Sequence, residues 1–356
     1  MRLLDLGWEK YFEDRFISFR DQGLNPLRII RENRGKYEAY GVDGEISCEI
    51  SGRFRFENEN KGGFPAVGDW VAASVLPDEG KGFIQVLLPR KSAFRRKVPG
   101  LKTEEQVVAA NIDFVFIVCG LDLNFNLRRI ERYLTLAWES GAVPVILLNK
   151  ADLCPEVELR KEEVESIALG VEVFFLSASQ KAGLEALSPF LQPGKTVAFL
   201  GSSGVGKSTL INALLGTDRL AVNTVSELGS RGRHTTTFRQ LIFLPGGAMV
   251  IDTPGMRELQ VWGDEEGLNQ VFDDIEDLAA QCRFGDCRHE EEPGCMVRGA
   301  VSSGALDPKR LESYLKLKKE YAYLADRQQM KPQALEKARW KKIHRLVKEI
   351  KKGKRG

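Results

Sequence analysis

The chain has 356 residues, 43% of them hydrophobic and 29% charged, with a net charge of +2, which is the balance of a water-folding protein of two or three domains. Its apolar runs are too short for a membrane span. The opening residues, MRLLDLGWEKYFEDRF, mix acids into the apolar pattern and lack a signal-peptide core, so a membrane-embedded or exported protein is not expected.

Residues 1–23 read as an amphipathic helix with Leu4, Trp8, Phe12 and Phe16 on one stripe, packed on a neighbouring domain. Residues 24–92 change character: LRIIRENRGKYEAYGV, GEISCEISGRFRF, FPAVGDWVAASVL and GFIQVLL alternate apolar positions between frequent glycines. That pattern predicts a small five-stranded barrel of the oligonucleotide-binding (OB-fold) kind.

Residues 93–264 alternate strand-like runs (DFVFIVCG, VPVILLNK, VEVFFLSA, TVAFLG, FRQLIFL, AMVIDTPG) with helical patterns such as LRRIERYLTLAWES. About six strands with intervening helices predict a doubly wound α/β domain with its ligand loops at the carboxyl ends of the strands. Residues 265–356 are expected to form a small, mostly helical C-terminal domain ending in a basic tail.

The densest chemistry is GSSGVGKS, residues 201–208, between an apolar run and a helical one. Glycines in this setting let backbone N–H groups and the helix end converge on phosphate oxygens. Gly201, Ser202, Ser203, Gly204, Val205, Gly206, Lys207, Ser208 and Thr209 are therefore assigned to the nucleotide, with Lys207 on the outer phosphates and Ser208 on magnesium.

NKAD, residues 149–152, follows another strand. Asp152 can accept from the guanine ring N–H and exocyclic amine, Asn149 fixes the loop and base edge, and the Lys150 stem lies over the ring; adenine lacks those two donors. Ser177 and Ala178 end the next strand and offer N–H groups to the guanine oxygen. DTPG, residues 252–255, places Asp252 to hold magnesium through water and the Gly255 N–H to sense the terminal phosphate. The polar stretch SRGRHTTTF suits a switch in which Thr236 or Thr237 completes the metal shell. Each tetrapeptide alone is weak, but all of them at strand ends in one domain point to a GTP/GDP site.

The order is unusual. A standard GTPase reads phosphate loop, switch threonine, DxxG, NKxD and serine-alanine; here the last two come first. Cutting and rejoining a sheet whose termini lie close together leaves its strand ends in place. Past DTPG the chain runs directly into Cys282, Cys287, His289 and Cys295, a cluster with metal-ligand character, whereas Cys48, Cys119 and Cys154 are isolated. That asymmetry indicates a reducing compartment, hence the cytoplasm. Basic residues collect at 90–102 and 337–356, and beside a nucleotide-binding core two such runs point to RNA.

With FPAVGDWV, EQVVAANID, LRRIERYL, NKAD, GSSGVGKSTLIN, RGRHTTT, DTPG and the cysteine-histidine cluster in this order, the chain resembles the circularly permuted, ribosome small-subunit-dependent GTPases (RsgA, YjeQ or YloQ type) over nearly its whole length. The resemblance implies a late-acting GTPase of small-subunit assembly, weakly active alone and stimulated by the small ribosomal subunit, with that subunit and ribosomal RNA as its partners. It also implies one structural zinc on Cys282, Cys287, His289 and Cys295, a closed set of three thiolates and an imidazole. A soluble monomer with no membrane partner is expected. The N-terminal segment exceeds the minimal family pattern.

Hydrolysis needs an oriented water, yet Met256 follows Gly255 where Ras-like enzymes have glutamine. His234, beside the switch threonines, is the candidate catalytic residue, and the resemblance supports it as the water-positioning group. Arg231 and Arg233 serve either charge stabilisation or RNA contact. Two other classes compete: an RNA-binding module in which GTP is mainly a structural ligand, suggested by the missing glutamine, and a membrane switch anchored by the tail, which has few apolar partners and no lipidation motif.

Overall fold

The computed structural model describes residues 2–33, 35–58, 63–97, 105–217, 239–252 and 266–329. Strands β1 (Asn25–Asn33), β2 (Lys36–Gly41), β3 (Gly44–Ile50), β4 (Trp70–Leu76) and β5 (Lys81–Leu87) close a five-stranded barrel, β1 pairing antiparallel with both β2 and β4, and β3 parallel with β5. Alternate residues fill it: Leu27, Ile29, Tyr37, Ala39, Ile46, Cys48, Val71, Ala73 and Ile84. The GRFRF stretch departs from the expected alternation and forms a short helix at Gly52–Glu57, because Ser51 Oγ accepts from the Phe54 N–H at 3.1 Å and caps it.

Strand β4 is buried on both sides. Its outward residues, Trp70 and Ala72, lie under the N-terminal segment, where Trp8 meets Trp70 edge to face at 4.7 Å and Phe12 and Phe16 are fully covered. The segment is a 3-10 turn at Leu3–Leu6 followed by helix α1 (Lys10–Arg20), not one helix. Leu4 therefore falls off the expected stripe and is 63% exposed, while Leu6 takes the buried place.

A hairpin of β6 (Ala93–Lys97) and β7 (Glu105–Ala110) leads into the central sheet. That sheet is ordered β10 (Glu172–Leu176), β9 (Val143–Asn149), β8 (Phe114–Gly120), β11 (Thr196–Leu200), β13 (Met249–Asp252), β12 (Arg239–Phe243), with only β12 antiparallel to its neighbour in this set. Period-two alternation divides its side chains. Phe116, Val118, Val197 and Phe199 face the helix at Lys207–Leu215, and Val115, Ile117 and Cys119 face the helices at Leu127–Ser140 and Val157–Glu165, giving the doubly wound layers. Numbered in chain order, the helix at Gly52–Glu57 is α2, and these three are α3 (Leu127–Ser140), α4 (Val157–Glu165) and α5 (Lys207–Leu215).

Barrel and central sheet are continuous, for β1 also pairs with β12 through Arg31 and Glu32. Beneath this seam lies Arg28, 1% exposed, whose guanidinium donates to the carbonyls of Leu6 and Asn111 and to Thr196 Oγ1. Burial lowers its pKa to about 10, which leaves it charged at neutral pH.

Helices α6 (Glu266–Val271), α7 (Asp273–Ala279), α8 (Met296–Ser303) and α9 (Pro308–Gln329) pack on the α3 face, with Leu268, Phe272, Ile275, Val297 and Tyr314 in the same core as Ile130 and Leu134. Among the described residues no helix is long and apolar enough to cross a membrane. The basic run at 90–102 proves partly structural. Arg90 grips the buried Asp69 with two hydrogen bonds at 2.8 and 2.7 Å, and Lys91 pairs with Glu9 and Asp113. Residues 98–102 and the basic tail lie outside the described residues.

Candidate nucleotide and metal sites

From β8 the chain adds β9 and β10 on one side, and from β11 it adds β12 and β13 on the other, so the sheet reverses direction of growth between β8 and β11. A crevice at such a point, outside the carboxyl ends of the strands, is where open α/β sheets bind ligands. The sequence motifs emerge there: Asn149 ends β9, Ser177 follows β10, Gly201 follows β11 and Asp252 ends β13.

The phosphate loop turns through positive φ at Gly201, Gly204 and Gly206. Two of these glycines are also sterically required. A Cβ on Gly201 would lie 2.4 Å from the Val118 carbonyl, and one on Gly206 would lie 2.2 Å from Asn149 Nδ2. Val205 is buried, Ser203 and Gly204 are exposed, and α5 begins at Lys207 with Ser208 and Thr209 in its first turn. The Lys207 ammonium folds over the loop, donating to the carbonyls of Gly201 at 2.7 Å and Ser202 at 2.6 Å.

Asn149, 2% exposed, ties three loops together. Its Nδ2 donates to the Val205 carbonyl at 2.7 Å, and its Oδ1 accepts from the Ala178 N–H at 3.0 Å. Ser177 and Ala178 are buried beside it, and Ser177 Oγ lies 3.1 Å from Ser179 Oγ. Lys150 adopts a left-handed conformation, φ 66°, and caps a 3-10 turn at Ala151–Leu153, which leaves Asp152 exposed at the rim. Asp252 is half-buried. His234, Thr236, Thr237 and Gly255, with Arg231 and Arg233, lie outside the described residues.

Two groups here escaped sequence reasoning. Asp122, two residues past β8, accepts from Lys150 Nζ at 2.6 Å. Burial pushes its carboxyl up, but the hydrogen bonds from Lys150 and the Asn124 N–H outweigh this and hold it below the usual carboxylate range. Arg129, on the first turn of α3, donates to Ser202 Oγ at 3.1 Å. The available signal was position: GLDLN directly follows a strand that ends in the crevice.

The second constellation sits where α7, α8 and α9 meet. The donor atoms of Cys282, Cys287, His289 and Cys295 all lie within 4.8 Å of one another. His289 Nδ1 is 3.4 Å from Cys295 Sγ and 3.8 Å from Cys282 Sγ, and those two sulfurs are 3.9 Å apart. Tetrahedral zinc with bonds of about 2.3 Å to sulfur and ~2.0 Å to nitrogen spaces its donors at roughly these separations. Burial holds the His289 imidazole below its ordinary value, hence neutral at pH 7 with a lone pair to give. The loop is built around the ligands. Cys295 caps α8, its Sγ accepting from the Arg298 N–H, and the Glu292 carboxylate accepts from the N–H groups of Arg288, Glu290 and Glu291 and is held at about 2. None of the six cysteines is in a disulfide.

The RsgA GTPase family model matches residues 87–262. A small ribosomal subunit biogenesis GTPase RsgA of Opitutus terrae is 47% identical over 353 residues, covering 97% of this chain and 96% of its own length. Another, of Syntrophotalea carbinolica, is 45% identical over 356 residues, covering 97% and 96%. Among solved structures, YjeQ from Thermotoga maritima superposes with a TM-score of 0.62 at 30% identity, covering 86% of this chain and 100% of that one. YloQ, described as a circularly permuted GTPase, gives 0.59 at 25% identity, covering 86% and 97%.

Proposed function

The chain belongs to the RsgA GTPase family, and from that premise we propose that it hydrolyses GTP to GDP and phosphate in late maturation of the small ribosomal subunit, stimulated by that subunit. The observation that carries the proposal is the knot at Asn149, which fastens the base-reading loop, the serine-alanine loop and the phosphate loop together although the chain visits them in permuted order.

In this proposal Asp152 accepts from guanine, the Lys150 stem covers the ring, and the Ser177–Ala178 backbone donates to the guanine oxygen. The loop from Gly201 to Thr209 wraps the phosphates with Lys207 on the outer ones. Ser208, Asp252 through water, and Thr236 or Thr237 offer the hard oxygen donors that magnesium prefers; bound there, the ion adds positive charge at the phosphate oxygens. Gly255 reports the terminal phosphate. His234 positions the attacking water, the role that Met256 cannot fill.

The Cys3His set suits zinc with all four positions taken by protein, so the ion staples the helical module and takes no part in hydrolysis. Unpaired cysteines support a reducing, cytoplasmic location, and we infer that the protein works as a monomer on ribosomal RNA. Phosphate release measured with the chain alone, with small subunits and with large subunits tests the proposal. Acceleration by small subunits only is expected; equal rates in all three would favour an RNA-binding module that merely carries GTP.

A further inference from the structure

Helix α3 presents charged side chains to two different parts of the molecule. Arg128 pairs with Glu312, Arg132 with Glu320 and Glu131 with Arg310, so one side is clamped by α9. Arg129 reaches elsewhere. Its Nη1 donates to Ser202 Oγ at 3.1 Å and to the Asn124 carbonyl at 3.3 Å. Ser202 is the second residue of the phosphate loop, and its carbonyl already accepts from Lys207 Nζ at 2.6 Å. Two cations therefore converge on one loop residue, Lys207 from within the loop and Arg129 from outside it.

Resting on the nucleotide-site assignment above, we propose that Arg129 is a positioning residue that holds the phosphate loop in its binding shape from the α3 side. Asn149 fastens the far side of the loop at Val205, but Ser203 and Gly204 are exposed, and Arg129 fastens the near side at Ser202. Ordering such a loop at the moment of binding would weaken affinity, and a fixed Ser202 removes part of that cost. The anchor is rigid: Asn126 Oδ1 accepts from the Arg129 N–H at 3.1 Å, Ile130, Leu134 and Ala137 are buried, and the opposite side is held by α9. A planar guanidinium serves Ser202 and Asn124 together, which a lysine ammonium does with less geometric control.

The test is titration of the full-length protein with fluorescent GDP and with a non-hydrolysable GTP analogue, alongside turnover at saturating GTP, for Arg129→Ala, Arg129→Lys, Ser202→Ala and the Arg129→Ala/Ser202→Ala pair. Arg129→Ala is expected to weaken both nucleotides by one common factor of about three to ten, as loss of one part-exposed charged hydrogen bond implies, with kcat unchanged. Arg129→Lys should recover part of the loss, and the double variant should bind no more weakly than Arg129→Ala. Unchanged affinity, fully additive losses, or a fall in kcat at unchanged affinity would each overturn the assignment. Lys207→Ala separates this from failure of the underlying site: if it binds guanine nucleotides as well as the wild type does, the phosphate loop itself has been misassigned.

Discussion

The side-chain amide of Asn149 donates to the Val205 carbonyl at 2.7 Å, so the last residue of β9 is fastened to the middle of the phosphate loop. Because Oδ1 also accepts from the Ala178 N–H, Asn149→Ala leaves two buried backbone groups without partners. Each such group costs about 1–3 kcal/mol. Affinity for GDP and GTP should fall at least about tenfold, equivalent to ~1.4 kcal/mol. Gly206→Ala should be more severe, since its Cβ meets the same amide at 2.2 Å and its φ is +98°. Titration with labelled GDP checks both, and near-wild-type binding by Gly206→Ala would contradict the packing.

Base selectivity should depend on Asp152 and, one step removed, on Asp122. Asp152→Asn is expected to exchange guanine for xanthine preference, measured as the ratio of the two affinities. Asp122→Ala frees Lys150 from its 2.6 Å partner and should weaken guanine and xanthine nucleotides together. The Asp122 carboxyl is depressed in the folded protein. Its contribution is therefore complete above the ordinary value of about 3.9 and lost only as pH falls through the lower folded value. The ratio of wild-type to Asp122→Ala nucleotide affinity should therefore be flat from about pH 5 to 8; a titration of that ratio within the window would assign Lys150 a different partner.

The proposed function assigns the outer phosphates to Lys207 and the attacking water to His234. Lys207→Ala should abolish binding or turnover, because the ammonium is the loop's own cation for the outer phosphates. His234→Ala should spare binding and lower subunit-stimulated turnover by about 10²-fold or more, as misplacement of the attacking water implies. Full stimulated activity in that variant would end its assignment.

The strands that build the crevice were legible because each is a short apolar run ending in a polar motif, and α3 was legible in its full extent, LRRIERYLTLAWES. What escaped was set by side chains whose partners lie far away in sequence. Arg28 reads as an ordinary strand arginine until Leu6, Asn111 and Thr196 surround it. Arg90 and Lys91 read as a basic patch until Asp69, Glu9 and Asp113 neutralise them. Leu4 was misplaced because period alone does not reveal that the 3-10 turn ends at Gly7, and the RFRF helix because a serine cap competes with alternation. Asp122 lies in no motif, and LRRIERYL contains Arg129 without marking its role; only proximity to Lys150 and Ser202 reveals them.

The C-terminal helices should be sensitive to Arg310. Its guanidinium joins Glu131 at 3.0 Å, Asp274 at 2.7 and 2.8 Å and the Val271 carbonyl at 2.8 Å. Arg310→Met leaves Glu131 buried without its 3.0 Å ion-pair partner, a loss of about 3–5 kcal/mol. Burial already raises the Glu131 carboxyl above its ordinary value, and removing Arg310 raises it further. A raised acid favours folding only while protonated, so stability falls as pH rises from the unfolded value of about 4.3 through the folded value. The deficit of Arg310→Met against wild type should therefore shrink on acidification from about pH 8 to pH 5, measured by urea unfolding midpoints. A deficit independent of pH would mean that Glu131 is not the group left uncompensated.

Metal content gives the last test. One zinc per chain is expected by elemental analysis, and Cys287→Ser or Cys295→Ser should lose it. Removal of a structural zinc withdraws binding free energy that is also folding free energy. Val297, at the start of α8 next to Cys295, and Tyr314 of α9 share the core with Ile130 of α3, so the loss should loosen the helical module first and lower its melting temperature. Strands β8 to β13 keep their own core of Phe116, Val118, Val197 and Phe199 on the opposite face, so GDP binding should persist more strongly than the helical signal. Hydrogen exchange of the chelated protein reads both regions at once: protection lost across α7 to α9 but retained in β8, β9 and β11 is expected, whereas unchanged protection throughout would remove the metal from any structural role.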